Sequence, residues 1–368
     1  MKHLKSAFLL LALMAMGMGN ATAQYITTHA KAATPGQQRG IYYALPRTVI
    51  QLDFVIEEIE LLQGPYSDYV YLIGADDYIT EDGMEYRLVD VAMTTYAEAD
   101  PNATFFVEMN AKKGDAAEFY MTPKGILQGV GIASTSSTPN PQLVTSNFTS
   151  LRSVRADAVQ LPTPNSQDRS FKYQYGSKAK SPEQMAYAAV EMINRIRDEK
   201  IKLLTGFQET AFTLETYRQM YADLDQMEND YLSLFIGKRI VNTVVKTVYV
   251  TPSKEVTSQS IAKFSTDKGF STGVSGQGNV ITLQALSLKT TGSINEPSPS
   301  AVETISHENK LFYRIPETAN VKLSMGNEVL LEKRVDIAQY GVFMLAPLGK
   351  TKLALDPITG QITEMKTE

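Results

Sequence analysis

The stretch Val49-Ile50-Gln51-Leu52-Asp53-Phe54-Val55-Ile56-Glu57 decides the fold class of this chain. Its β-branched and aromatic residues nearly alternate with polar ones, which is the pattern of a strand with one buried face. The surrounding residues 41–121 continue in the same way, and turn signals such as Asp100-Pro101-Asn102 separate the apolar runs. This part of the chain is therefore predicted to be mainly antiparallel sheet.

A second β-rich region is expected after residue 240. A glycine-rich stretch, 269–279, interrupts it and is typical of a loop or an irregular hairpin end. The strand-like runs of this region are 241–250, 280–288, 310–315, 321–324, 329–334, 341–345 and 351–355.

Ser181 begins the clearest local pattern in the sequence. Ser181 and Gln184 have the spacing of a capping box, and Pro182 occupies the first helical position, where proline is favoured. Apolar residues then recur at spacings of three and four as far as Gly206, and the same spacing returns over residues 214–235. Two amphipathic helices joined by a short loop predict an antiparallel helical hairpin.

These patterns together predict an α+β fold with mainly antiparallel β-rich regions and an inserted antiparallel helical hairpin. The segment 133–180 is polar, proline-punctuated and non-periodic, as in exposed or partly disordered connections. The expected order is a signal peptide at 1–23, an N-terminal β-rich region at 24–132, a polar Pro/Ser/Thr-rich connection at 133–180, a helical hairpin at 181–236 and a C-terminal β-rich region at 237–368.

The first 23 residues have the pattern of a secretory signal peptide. Lys2 and Lys5 give a basic start, an apolar run follows, and Ala21-Thr22-Ala23 places small residues where signal peptidase cleaves. The apolar run is shorter than the roughly 20 residues that span a bilayer. Cleavage would leave 33 basic and 40 acidic residues, a net charge of −7. We therefore expect an exported mature chain that begins at Gln24 and has no transmembrane segment.

The composition excludes several kinds of site. The chain has 368 residues, a formal net charge of −5 and no cysteine. The absence of cysteine excludes a disulfide framework, a thiolate zinc site, an iron–sulfur cluster and a cysteine nucleophile. The acidic balance argues against binding to nucleic acid, which requires a basic face.

Residues that could perform catalysis are scarce. Only His29 and His307 would remain after signal cleavage, and both are expected on the surface. The sequence has no nucleophile elbow and no glycine-rich nucleotide loop. The acidic segment 74–83 is expected to be a solvated turn, with weak calcium binding as the alternative, because Ile79 stands where calcium needs an oxygen ligand. No catalytic residue, cofactor or metal site is predicted.

Tyrosine is the one unusual aromatic choice, with 19 Tyr and 14 Phe but no Trp. Tyr66, Tyr69 and Tyr71 lie close together after the first long strand pattern. Because exposed tyrosines often contact partners or sugar rings, these three are a candidate interaction surface. The alternative interpretation is that they pack half-buried against the sheet.

The chain also contains an internal echo. The segment Tyr42-Tyr43-Ala44-Leu45-Pro46-Arg47-Thr48 resembles Phe312-Tyr313-Arg314-Ile315-Pro316-Glu317-Thr318. Proline disfavours helix at the preceding residue and cannot donate a ladder hydrogen bond, so each segment is expected at the start or edge of a strand. Two interpretations are open: a chance match of seven residues, or equivalent entries into two similar sheets.

Several short motifs occur in a fixed order along nearly the whole mature chain. They are Tyr43-x-Leu45-Pro46-x-Thr48, Gly64-Pro65-Tyr66-x-x-Tyr69, Tyr71-Leu72-x-Gly74, Asp100-Pro101, Gly125-Ile126-Leu127, Asp230-Tyr231-Leu232-Ser233-Leu234-Phe235-x-Gly237, Tyr313-Arg314-Ile315-Pro316, Gln339-Tyr340-Gly341-Val342 and Asp356-Pro357-x-Thr359-Gly360. In this order the chain resembles an uncharacterised secreted family of Bacteroidetes, catalogued as domain of unknown function 4831. The resemblance implies export into a Gram-negative envelope and brings no activity, ligand or catalytic residue.

The sequence therefore favours an exported protein of the periplasm, the outer membrane or the extracellular space. Its expected function is a non-catalytic structural, assembly or ligand-binding one, with an unknown envelope protein or a glycan as partner. The alternative is a carboxylate-dependent hydrolase acting on envelope or dietary glycans. Such an enzyme requires a pocket in which two carboxylates converge, whereas a binding protein requires an exposed apolar patch or an unpaired sheet edge.

Overall fold

A computed structural model describes residues 25–33, 39–109, 117–136, 181–205, 213–273, 276–295, 297 and 299–367. The predicted signal peptide and most of the predicted polar connection lie outside these residues, as does Gly206, the predicted end of the first long helix.

Fourteen strands and four helical segments are present in the described residues. The helices are α1 (Pro182–Thr205), α2 (Leu214–Ile236), α3 (Pro299–Thr304) and one 3-10 helix (Ser67–Leu72). The strands are β1 (Tyr25–His29), β2 (Gly40–Leu62), β3 (Gly83–Met109), β4 (Phe119–Met121), β5 (Leu127–Val130), β6 (Lys238–Val250), β7 (Val256–Ser265), β8 (Gly269–Ser271), β9 (Asn279–Ser287), β10 (His307–Glu308), β11 (Lys310–Met325), β12 (Glu328–Pro347), β13 (Thr351–Leu355) and β14 (Ile362–Thr367).

The strands form three antiparallel sheets. The strand orders are β10-β1-β3-β2-β6 in the first sheet, β12-β11-β9-β7-β8 in the second and β14-β13-β5-β4 in the third. Because β10 joins the first sheet and β13 pairs with β5, strands from both halves of the sequence share sheets. The predicted α+β class, with antiparallel β-rich regions and a helical hairpin, is confirmed.

The main core lies between the first and second sheets. Ile50, Leu52, Phe54 and Ile56 of β2 are buried there with apolar residues of β9 and β11. The prediction of only one buried face is wrong for this strand, because Gln51 and Asp53 on the opposite face are also at most 2% exposed. Hydrogen bonds satisfy both side chains, and satisfied polar groups can be buried at little cost.

A second core joins all three sheets. Tyr43 and Phe105 come from the first sheet, Phe312 from the second, and Leu353 from the third. Phe105 stacks on Phe312 with ring centroids 4.5 Å apart. The hydroxyl of Tyr43 accepts a hydrogen bond from the backbone N–H of Phe312 and lies within bonding distance of its carbonyl oxygen. The two segments of the internal echo therefore touch each other here.

Of the two positions expected for the echo prolines, the start of a strand is wrong and the edge is correct. Pro46 follows the start of β2 by six residues, and Pro316 follows the start of β11 by six. The strand register shifts at each proline. On its other side, each strand gains a partner only beyond the bulge. Strand β6 pairs with β2 from Ile50 onward, and β9 pairs with β11 from Ala319 onward. Each proline thus occupies a locally unpaired edge, where its missing N–H costs no ladder bond.

The helical hairpin forms as its capping signals predict. The backbone N–H of Gln184 donates to Ser181 Oγ, and that of Ser181 donates to Gln184 Oε1. At the far end, α2 stops at Gly237 with φ 83°, and a Cβ there would lie 2.5 Å from the carbonyl oxygen of Leu62. Only glycine fits this junction, which delivers the chain directly into β6. None of the helices in the described ranges combines the length and apolar character that crossing a bilayer requires.

Candidate functional site

The three tyrosines predicted as an interaction surface divide between two environments. Tyr66 and Tyr69 are half-buried at the base of the helical hairpin, and the ring of Tyr66 lies 5.6 Å from that of Phe235. Tyr71 is 63% exposed. The first two therefore pack against the hairpin, and only Tyr71 offers its ring to a partner.

Strand β6 presents a second and larger candidate surface, which sequence reasoning did not identify. All 13 of its residues pair with β2, and β6 is the last strand of its sheet. No described strand pairs with its opposite edge. On the face away from the main core, Val241, Val245 and Tyr249 are 45%, 38% and 54% exposed. We call the free edge and these three side chains the β6 surface.

The sequence of β6 has few of the features that usually protect an edge strand. Lys-Arg-Ile-Val-Asn-Thr-Val-Val-Lys-Thr-Val-Tyr-Val contains no proline, and its pairing with β2 has no bulge. Its only charged residues are basic: Lys238, Arg239 and Lys246. Proteins usually protect exposed edges with proline, bulges or charged side chains. An edge of this length that is protected only by three cations is suited to the addition of an acidic strand.

A buried carboxylate fixes β6 to β2. Asp53 is 2% exposed and accepts hydrogen bonds from Gln51 Nε2 at 2.9 Å and Thr247 Oγ1 at 2.6 Å. Both donors are neutral side chains on the sheet face opposite the main core. The arrangement ties the two strands in one register and leaves the outer edge of β6 free.

A pocket of about 300 Å³ lies where the two echo segments meet. Sequence reasoning missed it, although the echo itself contained the signal, since two arginines flank its two prolines. We call it the arginine pocket; its lining residues are Arg47, Asp100, Asn102, Thr251, Pro252, Ser253, Arg314, Gln339 and Phe343.

Arg314 forms the buried wall of the arginine pocket and is 3% exposed. Its Nη2 donates to Asp100 Oδ2 at 3.1 Å, and its Nη1 donates at 2.6 Å to the carbonyl oxygen of Pro46 at the bulge. The guanidinium carbon lies 4.7 Å from the ring centre of Phe343. Burial lowers the pKa of Arg314, and the neighbouring Asp100 carboxylate opposes that shift. The ion pair therefore holds the two long hairpins together.

Arg47 forms the open wall of the same pocket. Its Nη2 donates to Glu98 Oε2 at 3.0 Å, and its side chain is 33% exposed. The Nε atoms of Arg47 and Arg314 are both buried and have no hydrogen-bond partner among the described residues. The pocket thus contains donor capacity that the protein leaves unused.

Gln339 makes the floor of the pocket rigid. Its Oε1 accepts from the N–H of Thr48 at 2.7 Å, and its Nε2 donates to the carbonyl oxygens of Thr48 and Pro252, both at 2.8 Å. The side-chain amide replaces the neighbouring strand that β2 lacks beside its bulge. It also fixes the loop 251–253, which follows β6.

The carboxylates near the echo are already engaged. Asp100 is the one carboxylate that lines the arginine pocket, and Arg314 neutralises it. Glu317 is 2% exposed and accepts four hydrogen bonds from the N–H and hydroxyl groups of Thr290 and Thr291. Burial alone would raise the pKa of Glu317, but those hydrogen bonds outweigh it and lower the pKa to about 2. Neither group forms the converging pair that glycoside hydrolysis requires.

The histidines and the acidic turn contribute no such pair either. The prediction of a surface position is wrong for His29, which is 1% exposed in β1. Its Nε2 bonds to the carbonyl oxygen of Asn102 at 3.0 Å, and its Nδ1 accepts from the N–H of Lys31 at 3.2 Å, so the ring is held by two backbone groups and is structural. In the acidic turn, Asp82 accepts from the N–H of Gln63. Within the described ranges, no cluster of acidic or histidine side chains could hold a metal ion.

Comparison with known proteins identifies the family. The sequence pattern described as Domain of unknown function (DUF4831) matches residues 39–363, so the chain belongs to that family, as the ordered motifs indicated. No curated protein and no solved structure matches the chain.

Proposed function

We propose that this member of the DUF4831 family is an exported cell-envelope protein with a non-catalytic assembly function, in which β6 accepts an extended strand of a partner protein. The observation that carries the proposal is the 13-residue edge of β6, with which no strand of the described residues pairs. A strand added there continues the sheet through main-chain hydrogen bonds, and its alternate side chains contact Val241, Val245 and Tyr249.

Charge defines the kind of partner. The β6 strand has three basic residues and no acidic one, whereas a second copy of β6 would bring three more positive charges to the same edge. An extended segment with acidic residues between apolar ones complements this edge better than self-pairing does. The partner is therefore proposed to be an acidic, strand-forming segment of another envelope protein.

Export is the second part of the proposal. It is supported by the basic start, apolar run and small-residue cleavage pattern of residues 1–23, and by the absence of cysteine, which suits an oxidising compartment. The mature chain is placed in the periplasm, at the outer membrane or outside the cell.

The test compares two valines of equal exposure. Val245 on the β6 edge and Val280 on the central strand β9 are both 38% exposed, so V245E and V280E add the same charge at the same depth. The tagged wild-type chain and both variants are cross-linked in the native envelope and purified. Wild type and V280E are expected to retain the same partner, and V245E to lose it, because a glutamate at this edge repels the acidic segment and removes an apolar contact.

Hydrogen exchange on the purified complex supplies the direct readout. The amides of residues 238–250 are expected to gain protection when the partner is bound, whereas those of β9 should not change. Retention of the same partner by V245E, or a complex without new protection in β6, would contradict the proposed strand addition.

A further inference from the structure

We infer that the arginine pocket is a binding site for a small organic anion, which it recognises through a carboxylate group held between Arg47 and the loop 251–253. This site is separate from the strand-docking edge of β6 and does not depend on it. The inference comes from comparing the two halves of the internal echo.

The two halves have the same local plan. In the second half, β9 pairs with β11 beyond the Pro316 bulge, and the loop that follows β9 contains Thr290 and Thr291. In the first half, β6 pairs with β2 beyond the Pro46 bulge, and the loop that follows β6 contains Thr251 and Ser253. Each hydroxyl-bearing loop therefore lies beside the residue that follows a bulge proline.

The residue after the proline differs in charge between the halves. In the second half it is Glu317, and its carboxylate accepts hydrogen bonds of 2.5–2.9 Å from both threonines of the loop. In the first half it is Arg47, a donor that faces a loop whose hydroxyl groups are also donors. The first half has the hydroxyl loop but no carboxylate of its own between that loop and Arg47, and a space of about 300 Å³ lies there instead.

The carboxylate of a bound ligand can occupy, between Arg47 and the loop 251–253, the place that the Glu317 carboxylate occupies beside its own loop. One oxygen can accept from the Arg47 guanidinium, and the other from the hydroxyl groups of Thr251 and Ser253. The pocket lining carries two arginines and one carboxylate, and that carboxylate is already paired with Arg314. Glu98, which pairs with Arg47, is not among the lining residues, so the groups that line the pocket carry a net positive charge, and Arg47 exchanges part of its pairing with Glu98 for the anion.

The pocket also sets the size and character of the ligand body. Phe343 and Pro252 provide apolar walls, and the volume suits a small molecule but not a polymer. The bonds of Gln339 to Thr48 and Pro252 hold the floor in place, so binding requires no folding of the loop. Arg47 is one-third exposed and can turn toward a ligand.

The experiment measures binding of benzoate to the mature chain by titration calorimetry, with benzamide as the neutral molecule of the same shape. Benzoate is expected to bind and benzamide to show no binding, because only the carboxylate offers the second acceptor oxygen and the negative charge. Absence of benzoate binding, or equal binding of the two compounds, would overturn the inference.

Variants test the position of the site. R47Q should weaken benzoate binding about tenfold or more, which corresponds to loss of one charge-assisted hydrogen bond. The matched control is R87Q, since Arg87 also pairs across β2 and β3, with Glu57, but lies outside the pocket. R87Q should bind benzoate as wild type does, and unchanged affinity in R47Q would refute the assignment.

A second variant removes the hydroxyl group without touching an ion pair. Ser253 is exposed on the loop, so S253A should fold as wild type does, with an unchanged midpoint of thermal unfolding. Its affinity for benzoate should fall about tenfold, the lower end of the effect of one hydrogen bond to a charged group. Wild-type affinity in S253A would place the anion elsewhere in the pocket and contradict the proposed geometry.

Discussion

The two long hairpins, β2–β3 and β11–β12, place similar sequences at similar bulges. They differ in the side chain that follows the bulge proline and in what that side chain contacts. The second hairpin closes its bulge region with its own carboxylate, because Glu317 takes all four donors of Thr290 and Thr291. The first hairpin places Arg47 at the corresponding position and leaves a pocket. A change of one side-chain charge within a repeated framework thus separates a structural contact from a candidate binding site.

The largest expected effect concerns the ion pair that links the hairpins. R314Q leaves Asp100 buried without its cation, and breaking a buried pair in this way costs about 3–5 kcal/mol of unfolding free energy. Urea unfolding at pH 7 measures the loss. R87Q, which breaks an exposed pair between β3 and β2 within the first hairpin, should cost at most about 1 kcal/mol. Equal losses in the two variants would show that Arg314 does not hold the hairpins together.

The stability that Glu317 gives to the second hairpin, β11–β12, should depend on pH in the acid range. The folded protein lowers the pKa of Glu317 from 4.5 to about 2, so this carboxylate contributes full stability above pH 4.5. That contribution is lost as the pH falls from 4.5 toward 2, by about 2–3 kcal/mol. The urea unfolding free energy of wild type minus that of E317Q, measured from pH 6 to pH 2.5, should shrink accordingly. A pH-independent difference would mean that the Glu317 carboxylate is not stabilised by its four donors.

The close approach of strands at the Pro316 bulge supplies a test of packing. A Cβ on Gly341 would lie 1.8 Å from the carbonyl oxygen of Ile315, which is backbone and cannot move aside easily. G341A should therefore lower the unfolding free energy by about 1–3 kcal/mol. The control is G83A at the start of β3, where nothing lies within 4 Å of the added Cβ. An unchanged unfolding free energy in G341A would show that the bulge has room to relax.

The smallest expected effect is the loss of unfolding free energy when Arg47 is replaced. The Arg47–Glu98 pair is about one-third exposed on both sides, so R47Q should change the unfolding free energy by about 0–1 kcal/mol. Thermal unfolding in the absence of ligand measures it. The comparison of the hairpins predicts that Arg47 affects ligand binding much more than stability, whereas Arg314 affects stability directly. A loss as large as that of R314Q would make Arg47 a structural residue.

Local signals in the sequence identified several elements and their ends. The capping pair Ser181 and Gln184 starts α1 as expected, because both partners lie within one helical turn. The proline at each echo segment marked a strand edge correctly, since a missing N–H has the same consequence in any fold. The prediction of a start of a strand was wrong because both strands continue through a bulge, and only their partners reveal that.

The candidate sites were harder to predict because they depend on contacts between residues far apart in the chain. Arg314 and Asp100 are separated by 214 positions, and neither has a neighbour in sequence that announces the pair. His29 looked like a surface residue because its leader is polar, yet β1 inserts it beside Phe105. The β6 edge is free only because β6 is the last strand of its sheet, which no periodicity of residues 238–250 reveals.

The sequence by itself determined the α+β class, the helical hairpin, the membership of the family and the absence of cysteine chemistry. These follow from local propensity, capping, motif order and composition, which need no knowledge of long-range contacts. Only the tertiary structure decided that β6 has a free edge, that Asp53 is buried and that Arg47 and Arg314 line one pocket. The physical reason is that burial and pairing are set by which distant strands meet, and the same residues would be solvated, uninformative side chains in any other arrangement.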